Sequence, residues 1–83
     1  MEYRIQIEAS RTFEPFDRRY ADARAIGELS SDHVPKRGLY RVLVGHYGTL
    51  SEAREAMARA RAAGWRDAFV AEIEGGVYRG AAQ

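Results

Sequence analysis

Residues Tyr3-Arg4-Ile5-Gln6-Ile7-Glu8-Ala9 alternate between apolar and polar side chains without a break. A period of two marks a half-buried strand, which places Tyr3, Ile5, Ile7 and Ala9 on one face and Arg4, Gln6 and Glu8 on the other. The same opening recurs at Tyr40-Arg41-Val42-Leu43-Val44-Gly45, where Tyr40, Val42 and Val44 face one way and Arg41 and Leu43 the other. Two strands that begin Tyr-Arg and continue with aliphatics read as an internal duplication of a strand-helix-strand unit.

The period changes after the second strand. Thr49-Leu50-Ser51-Glu52 fits a capping box, in which the Thr49 hydroxyl and the Glu52 carboxylate each satisfy a free backbone N–H. Leu50, Ala53, Ala56, Met57, Ala60 and Ala63 then recur every three or four residues, a narrow stripe of small side chains that lets a helix lie close to a sheet. Gly64 ends that helix as its left-handed residue. Asp67 to Ile73 reads as a further strand closed by Gly75-Gly76. Earlier in the chain, Phe16, Tyr20, Ala23 and Gly27 mark one face of a helix from Asp17 to Ile26, and Leu29 to Val34 forms an edge strand before Pro35. Lys36-Arg37-Gly38 turns the chain back into Tyr40, and Val77 to Gln83 is expected to fray as a tail.

The resulting order, β-α-β-β-α-β, predicts an α+β, ferredoxin-like fold: a four-stranded antiparallel sheet with two helices on one face. The two Tyr-Arg strands become its central pair. Arg4, Gln6, Arg41 and Leu43 are then expected side by side on the face the helices leave open.

A chain of 83 residues supports one hydrophobic core, so residues 1–83 form a single domain with a core of about 3–73 and a tail at 74–83. Hydrophobic residues make up 46%, enough for a folded globule, and no apolar run approaches the roughly 20 residues of a membrane span. Met1-Glu2-Tyr3-Arg4 enters strand-like sequence at once, which fits either a cytoplasmic protein or a domain cut from a longer exported chain. With 13 basic and 12 acidic side chains the net charge is +1, so electrostatic recognition must be local. All the basic residues except Lys36 are arginine, whose forked donors clamp anions and whose plane stacks on rings. There is no cysteine, and His33 and His46 stand alone, so neither a metal site nor a thiolate nucleophile is expected. Phosphate-cradling glycine patterns, paired catalytic carboxylates and cofactor motifs are absent, so no catalytic residue and no cofactor is assigned.

Tyr40-Arg41-Val42-Leu43-Val44-Gly45-His46-Tyr47, followed by a capped helix containing Ala53 and by Ala62-Ala63-Gly64-Trp65, resembles the SPOR domain. The signature of that family is Tyr-Arg-Val-x-Val-Gly-x-aromatic, a helix, and a Gly-aromatic helix end. Ile5-Gln6-Ile7 is similar to its opening Val-Gln-Val, so the likeness runs from residue 3 to residue 73. The resemblance implies a non-catalytic module of a bacterial cell-envelope or cell-division protein that binds peptidoglycan. It also implies a preference for glycan strands stripped of stem peptides, and a place in the periplasm or envelope as part of a longer exported protein. Gln6 matches the family's strand-one glutamine, Arg41 its Tyr-Arg-Val arginine, Gly45 its glycine and Tyr47 its aromatic. Glu8 stands where the family usually has glycine, Ala9-Ser10 lacks the expected aromatic, and His46 replaces a small residue or proline.

Peptidoglycan glycan offers acetamides, lactyl carboxylates and apolar ring faces, and arginine, glutamine and an aromatic supply anion clamps, amide hydrogen bonds and a stacking plane. Gln6, Arg41 and Tyr47 are therefore the first candidates for glycan contact. Arg4 joins them, balanced against a solvated strand arginine paired with Glu8. Phe69 is a stacking candidate if it, rather than Ala68 and Val70, faces the open side. Two other functions use the same fold. Single-stranded nucleic acid can stack on such a sheet, although the open faces of the central strands carry no aromatic residue. An edge strand can also pair with a partner protein or with a second copy to give a homodimer.

Overall fold

The computed structural model describes residues 1–82. It contains a single antiparallel sheet built from β1 (Glu2–Ser10), β2 (Leu29–Val34), β3 (Leu39–Tyr47), β4 (Phe69–Glu74) and β5 (Val77–Ala81), ordered β2-β3-β1-β4-β5. Helices α1 (Ala21–Ile26) and α2 (Leu50–Ala62) contribute Ala23, Ala53, Ala56 and Ala60 to one buried cluster with Ile5, Ile7, Val42, Val44 and Val70 of the sheet. The α+β class, the two helices on one face and the central β1–β3 pair agree with the sequence pattern. The number of strands does not: there are five, and residues 77–81 of the expected tail are the fifth. Gly75 and Gly76, at φ 57° and 81°, form a two-residue loop whose positive dihedrals match the twist of a hairpin, and the following segment pairs with β4. Gln83, the end of that tail, lies outside the described residues.

Alanine governs how closely α2 approaches the sheet. Ala53, Ala56 and Ala60 have no accessible surface, so the helix backbone rests almost directly on the aliphatic strand residues. Thr49 caps the helix by accepting from the Glu52 N–H at 3.2 Å. The return contact of the box differs from expectation, because the Glu52 carboxylate accepts from the Thr49 hydroxyl at 2.8 Å. At the far end Trp65 N–H donates to Ala60 O and Gly64 N–H to Arg61 O, a Schellman closure around Gly64 at φ 110°.

The first helix is shorter than the predicted 17–26 segment. Asp17 caps a 3-10 turn at Arg18–Tyr20, accepting from the Arg19 N–H at 2.9 Å, and α1 follows directly. Phe16 is 86% exposed and does not share the buried face, whereas Tyr20 is 1% exposed between Phe13 and Trp65, with ring centroids 5.9 Å away on each side.

Three bulges shift the register. Gly45 and His46 lie between the pairs Tyr3↔Tyr47 and Ile5↔Val44, so two residues of β3 oppose Arg4 alone. Ile7 is the extra residue between Gln6↔Leu43 and Glu8↔Val42, and Arg79 the extra one between Glu72↔Gly80 and Ile73↔Tyr78. Bulges increase twist and bend the bulged strand, which curls this sheet. The bulge at Ile7 also corrects the alternation read from the sequence. It turns Glu8 onto the helix side, opposite Val42, and sends Ala9 outward opposite Arg41.

Candidate functional site

The sheet face away from the helices carries Arg4 and Gln6 of β1, Arg41 and Leu43 of β3, Ser30 and Asp32 of β2, Phe69, Ala71 and Ile73 of β4, and Tyr78 of β5. It is less open than the sequence pattern suggests. Leu43, Ala71 and Ile73 are only 1%, 0% and 3% exposed, because Gln6, Arg4 and Tyr78 stand directly opposite them in register. These long polar side chains close over the apolar ones and leave an amphipathic floor.

Arg4 and Arg41 do not lie side by side. β1 and β3 run antiparallel, so the two arginines sit toward opposite ends of the central pair, with Gln6 and Leu43 between them. Each already has an acidic partner. Arg41 Nη1 donates to Asp32 Oδ2 at 2.6 Å, and Arg4 Nε donates to Glu2 Oε1 at 3.3 Å while its Nη1 reaches Ser30 Oγ at 3.4 Å. The expected Arg4–Glu8 pair is replaced. Turned by the bulge, Glu8 accepts from the Tyr20 hydroxyl at 2.5 Å and is paired with Arg19. Burial raises the Tyr20 pKa, and the hydrogen bond to Glu8 raises it further, so this hydroxyl stays a donor.

Gln6 and Phe69 are direct cross-strand neighbours on this face, while Ala68 and Val70 are buried on the other. Phe69 is thus on the side that makes it a stacking candidate. Beside it a groove of about 320 Å³ is lined by Gln6, Ile7, Glu8, Ala9, Asp67 and Phe69. Tyr47 is not part of this face. It lies opposite Tyr3, packs against the core, and sets its hydroxyl and ring edge over Gly45 and Gly27. Gly45, at φ 75°, is the bulge residue that Tyr47 covers.

Alternation and resemblance did not single out Tyr78. Its hydroxyl donates to Gln6 Oε1 at 2.5 Å, and its ring centroid lies 3.9 Å from the Arg41 guanidinium carbon. β5 and β3 have β4 and β1 between them, about 14 Å across a flat sheet. Only a curled sheet with two long side chains reaching inward brings these groups together. The available sequence signal was Gly75-Gly76 between two strand-like runs, which marks a hairpin.

At the Arg4 end, His46 is held between two carboxylates, Glu2 at Nδ1 and Glu28 at Nε2, the latter at 3.0 Å. The hydrogen bonds to Glu2 and then Glu28 raise the His46 pKa, and the bond to His46 lowers that of Glu2. Among the described residues no group of His, Cys, Asp and Glu is arranged to hold a metal ion, and no helix is long and apolar enough to cross a membrane.

Comparison with curated proteins and with solved structures returns no match. The family model described as the SPOR domain matches residues 2–71, which takes in the chain from β1 into β4 and ends before β5. SPOR domains are known as peptidoglycan-binding, non-catalytic modules and occur in bacterial envelope and cell-division proteins. With this match over most of its length, and with the arginine, glutamine and glycine of its two central strands in place, the chain belongs to the SPOR domain family.

Proposed function

We propose that this domain binds glycan strands of peptidoglycan across the curled sheet face, with Gln6, Arg41 and Phe69 as the principal contacts and Arg4 at the margin. The observation that carries this reading is the gathering of an amide, a guanidinium and an aromatic ring on one face, floored by Leu43 and Ala71. Phe69 offers a plane to an apolar sugar face, Gln6 addresses acetamides, and Arg41 addresses lactyl carboxylates that become free once stem peptides are removed. Tyr47 takes a structural role over Gly45. The domain acts without catalysis and delivers a longer exported protein to the cell wall in the periplasm.

Purified domain should co-sediment with sacculi, and more strongly after an amidase has removed stem peptides. Arg41→Ala should reduce binding about tenfold, because a charge-assisted contact is lost. Its unfolding free energy should fall by no more than about 1 kcal/mol, since the Arg41–Asp32 pair is about one-third exposed. No enrichment on sacculi over buffer would end the glycan reading. Binding instead to a single-stranded oligonucleotide, with steep salt dependence, would replace it by nucleic-acid recognition.

A further inference from the structure

Tyr78 lies beyond the residues that the family model matches, yet it touches both polar groups at the centre of the proposed glycan face. The tyrosine is partly buried, and burial raises its pKa above the ordinary 10.0, so its hydroxyl is a proton donor at neutral pH. That proton is given to Gln6 Oε1. An amide whose carbonyl is engaged in this way presents its Nε2 protons to a ligand. Arg41 is constrained similarly, with one guanidinium face against the Tyr78 ring and Nη1 directed to Asp32. Its remaining N–H groups are the ones available for contact. Gln6 and Arg41 therefore both turn hydrogen-bond donors toward a ligand, and the neighbouring Asp32 carboxylate is engaged by Arg41 through Oδ2.

We propose that Tyr78 is a positioning residue that sets the specificity of the face, turning the N–H groups of Gln6 and Arg41 outward as a donor pair that selects a free carboxylate over the corresponding amide. The proposal rests on the glycan-binding reading and refines it by giving Gln6 a lactyl carboxylate oxygen, rather than an acetamide, as its acceptor. A lactyl carboxylate has two oxygens to accept from such a pair. Once a stem peptide is attached, one of those oxygens is replaced by an amide N–H, which would meet donors with a donor. Tyr78 is not a lid over the site. β5 is paired along β4 from Val77 to Ala81, and Ala82 N–H donates to Val70 O at 2.8 Å with Ala82 packed against the core, so the chain is anchored on both sides of the tyrosine.

The test measures affinity for an N-acetylated amino-sugar oligomer bearing free lactyl carboxylates and for the same oligomer with those groups converted to methylamides. Wild type should favour the carboxylate form by about tenfold or more. Tyr78→Phe keeps the ring on Arg41 and removes the hydroxyl. It should lose about fivefold to tenfold for the carboxylate form and little for the methylamide, so that discrimination collapses. Gln6→Glu still accepts from Tyr78 but shows an acceptor to the ligand, and should abolish carboxylate binding while the far-ultraviolet circular dichroism spectrum stays unchanged. Equal or tighter carboxylate binding by Tyr78→Phe, or undiminished discrimination, would overturn the proposal. Binding of neither oligomer by wild type would instead defeat the glycan reading. The orientation of Gln6 would then be judged in the free protein from its side-chain amide NMR signals, which should shift on Tyr78→Phe and whose invariance would overturn it.

Discussion

Gly45→Ala tests whether the bulge under Tyr47 organises the central strands. Gly45 has φ 75°, a conformation that costs an L-residue about 1–2 kcal/mol. A Cβ built there would lie 2.4 Å from Tyr47 Oη and 2.5 Å from its ring carbons Cε2 and Cζ, so the ring would have to move. The Gly45 backbone has little room to yield instead: its N–H is bonded to Glu28 O at 2.8 Å, and Gly27 lies so close that a Cβ there would be 2.8 Å from Gly45 Cα. Overpacking of this kind costs about 1–3 kcal/mol, giving a total of about 2–5 kcal/mol against a stability of roughly 4–12 kcal/mol for a domain of this size. Gly38 supplies the control: its φ is 63°, but a Cβ there meets nothing within 4 Å, so Gly38→Ala should cost only the backbone part. Urea unfolding of both variants separates the two contributions. Gly45→Ala should be the less stable by about 1–3 kcal/mol, or roughly 5–20 °C in melting temperature. Equal losses in the two variants would refute the contribution assigned to the Tyr47 ring.

Tyr20→Phe removes the hydroxyl that donates to Glu8 and should cost about 1.5–3 kcal/mol in urea unfolding at pH 7, with a loss below 0.5 kcal/mol counting against the contact. Ala56→Leu should cost about 1–3 kcal/mol, because a fully buried alanine sets the distance between α2 and the sheet; an unchanged midpoint would show that the layers can separate freely. The clasp of His46 with Glu2 and Glu28 adds a pH dependence. The raised pKa of His46 makes its contribution complete below the ordinary 6.5 and lost as pH rises through the folded value. The lowered pKa of Glu2 makes its contribution complete above 4.5 and lost as pH falls through the folded value. Between these limits wild type should exceed His46→Gln by less than about 1 kcal/mol, as befits partly exposed pairs, and that advantage should disappear by pH 8.5. The same difference at pH 5.5 and 8.5 would contradict this.

Local physics made much of the fold readable. Small residues at helical spacing announced α2, Thr49 and Gly64 marked its ends, and period-two alternation located β1 and β3. The same alternation misplaced Glu8, because a bulge changes the phase of a strand and depends on the neighbouring strand as much as on its own residues. Phe16 was misassigned for a related reason: helical spacing continued past the point where Asp17 caps the turn. Gln6 and Arg41 were nameable from the motif, and they do share a face. That Arg41 already holds Asp32, that Tyr47 packs over Gly45, and that Leu43 is covered depend on cross-strand register and curl.

The two Tyr-Arg dipeptides show where the division falls. Sequence alone determined that each arginine faces the opposite side of the sheet from the tyrosine before it, since neighbouring side chains in a strand must point to opposite faces. Only tertiary structure decided that Arg4 and Arg41 occupy opposite ends of an antiparallel pair, and that Tyr78, distant in the chain, reaches Gln6 and Arg41. Those facts belong to strand order and curvature, which arise from the packing of the whole sheet and are not encoded in any one segment's periodicity.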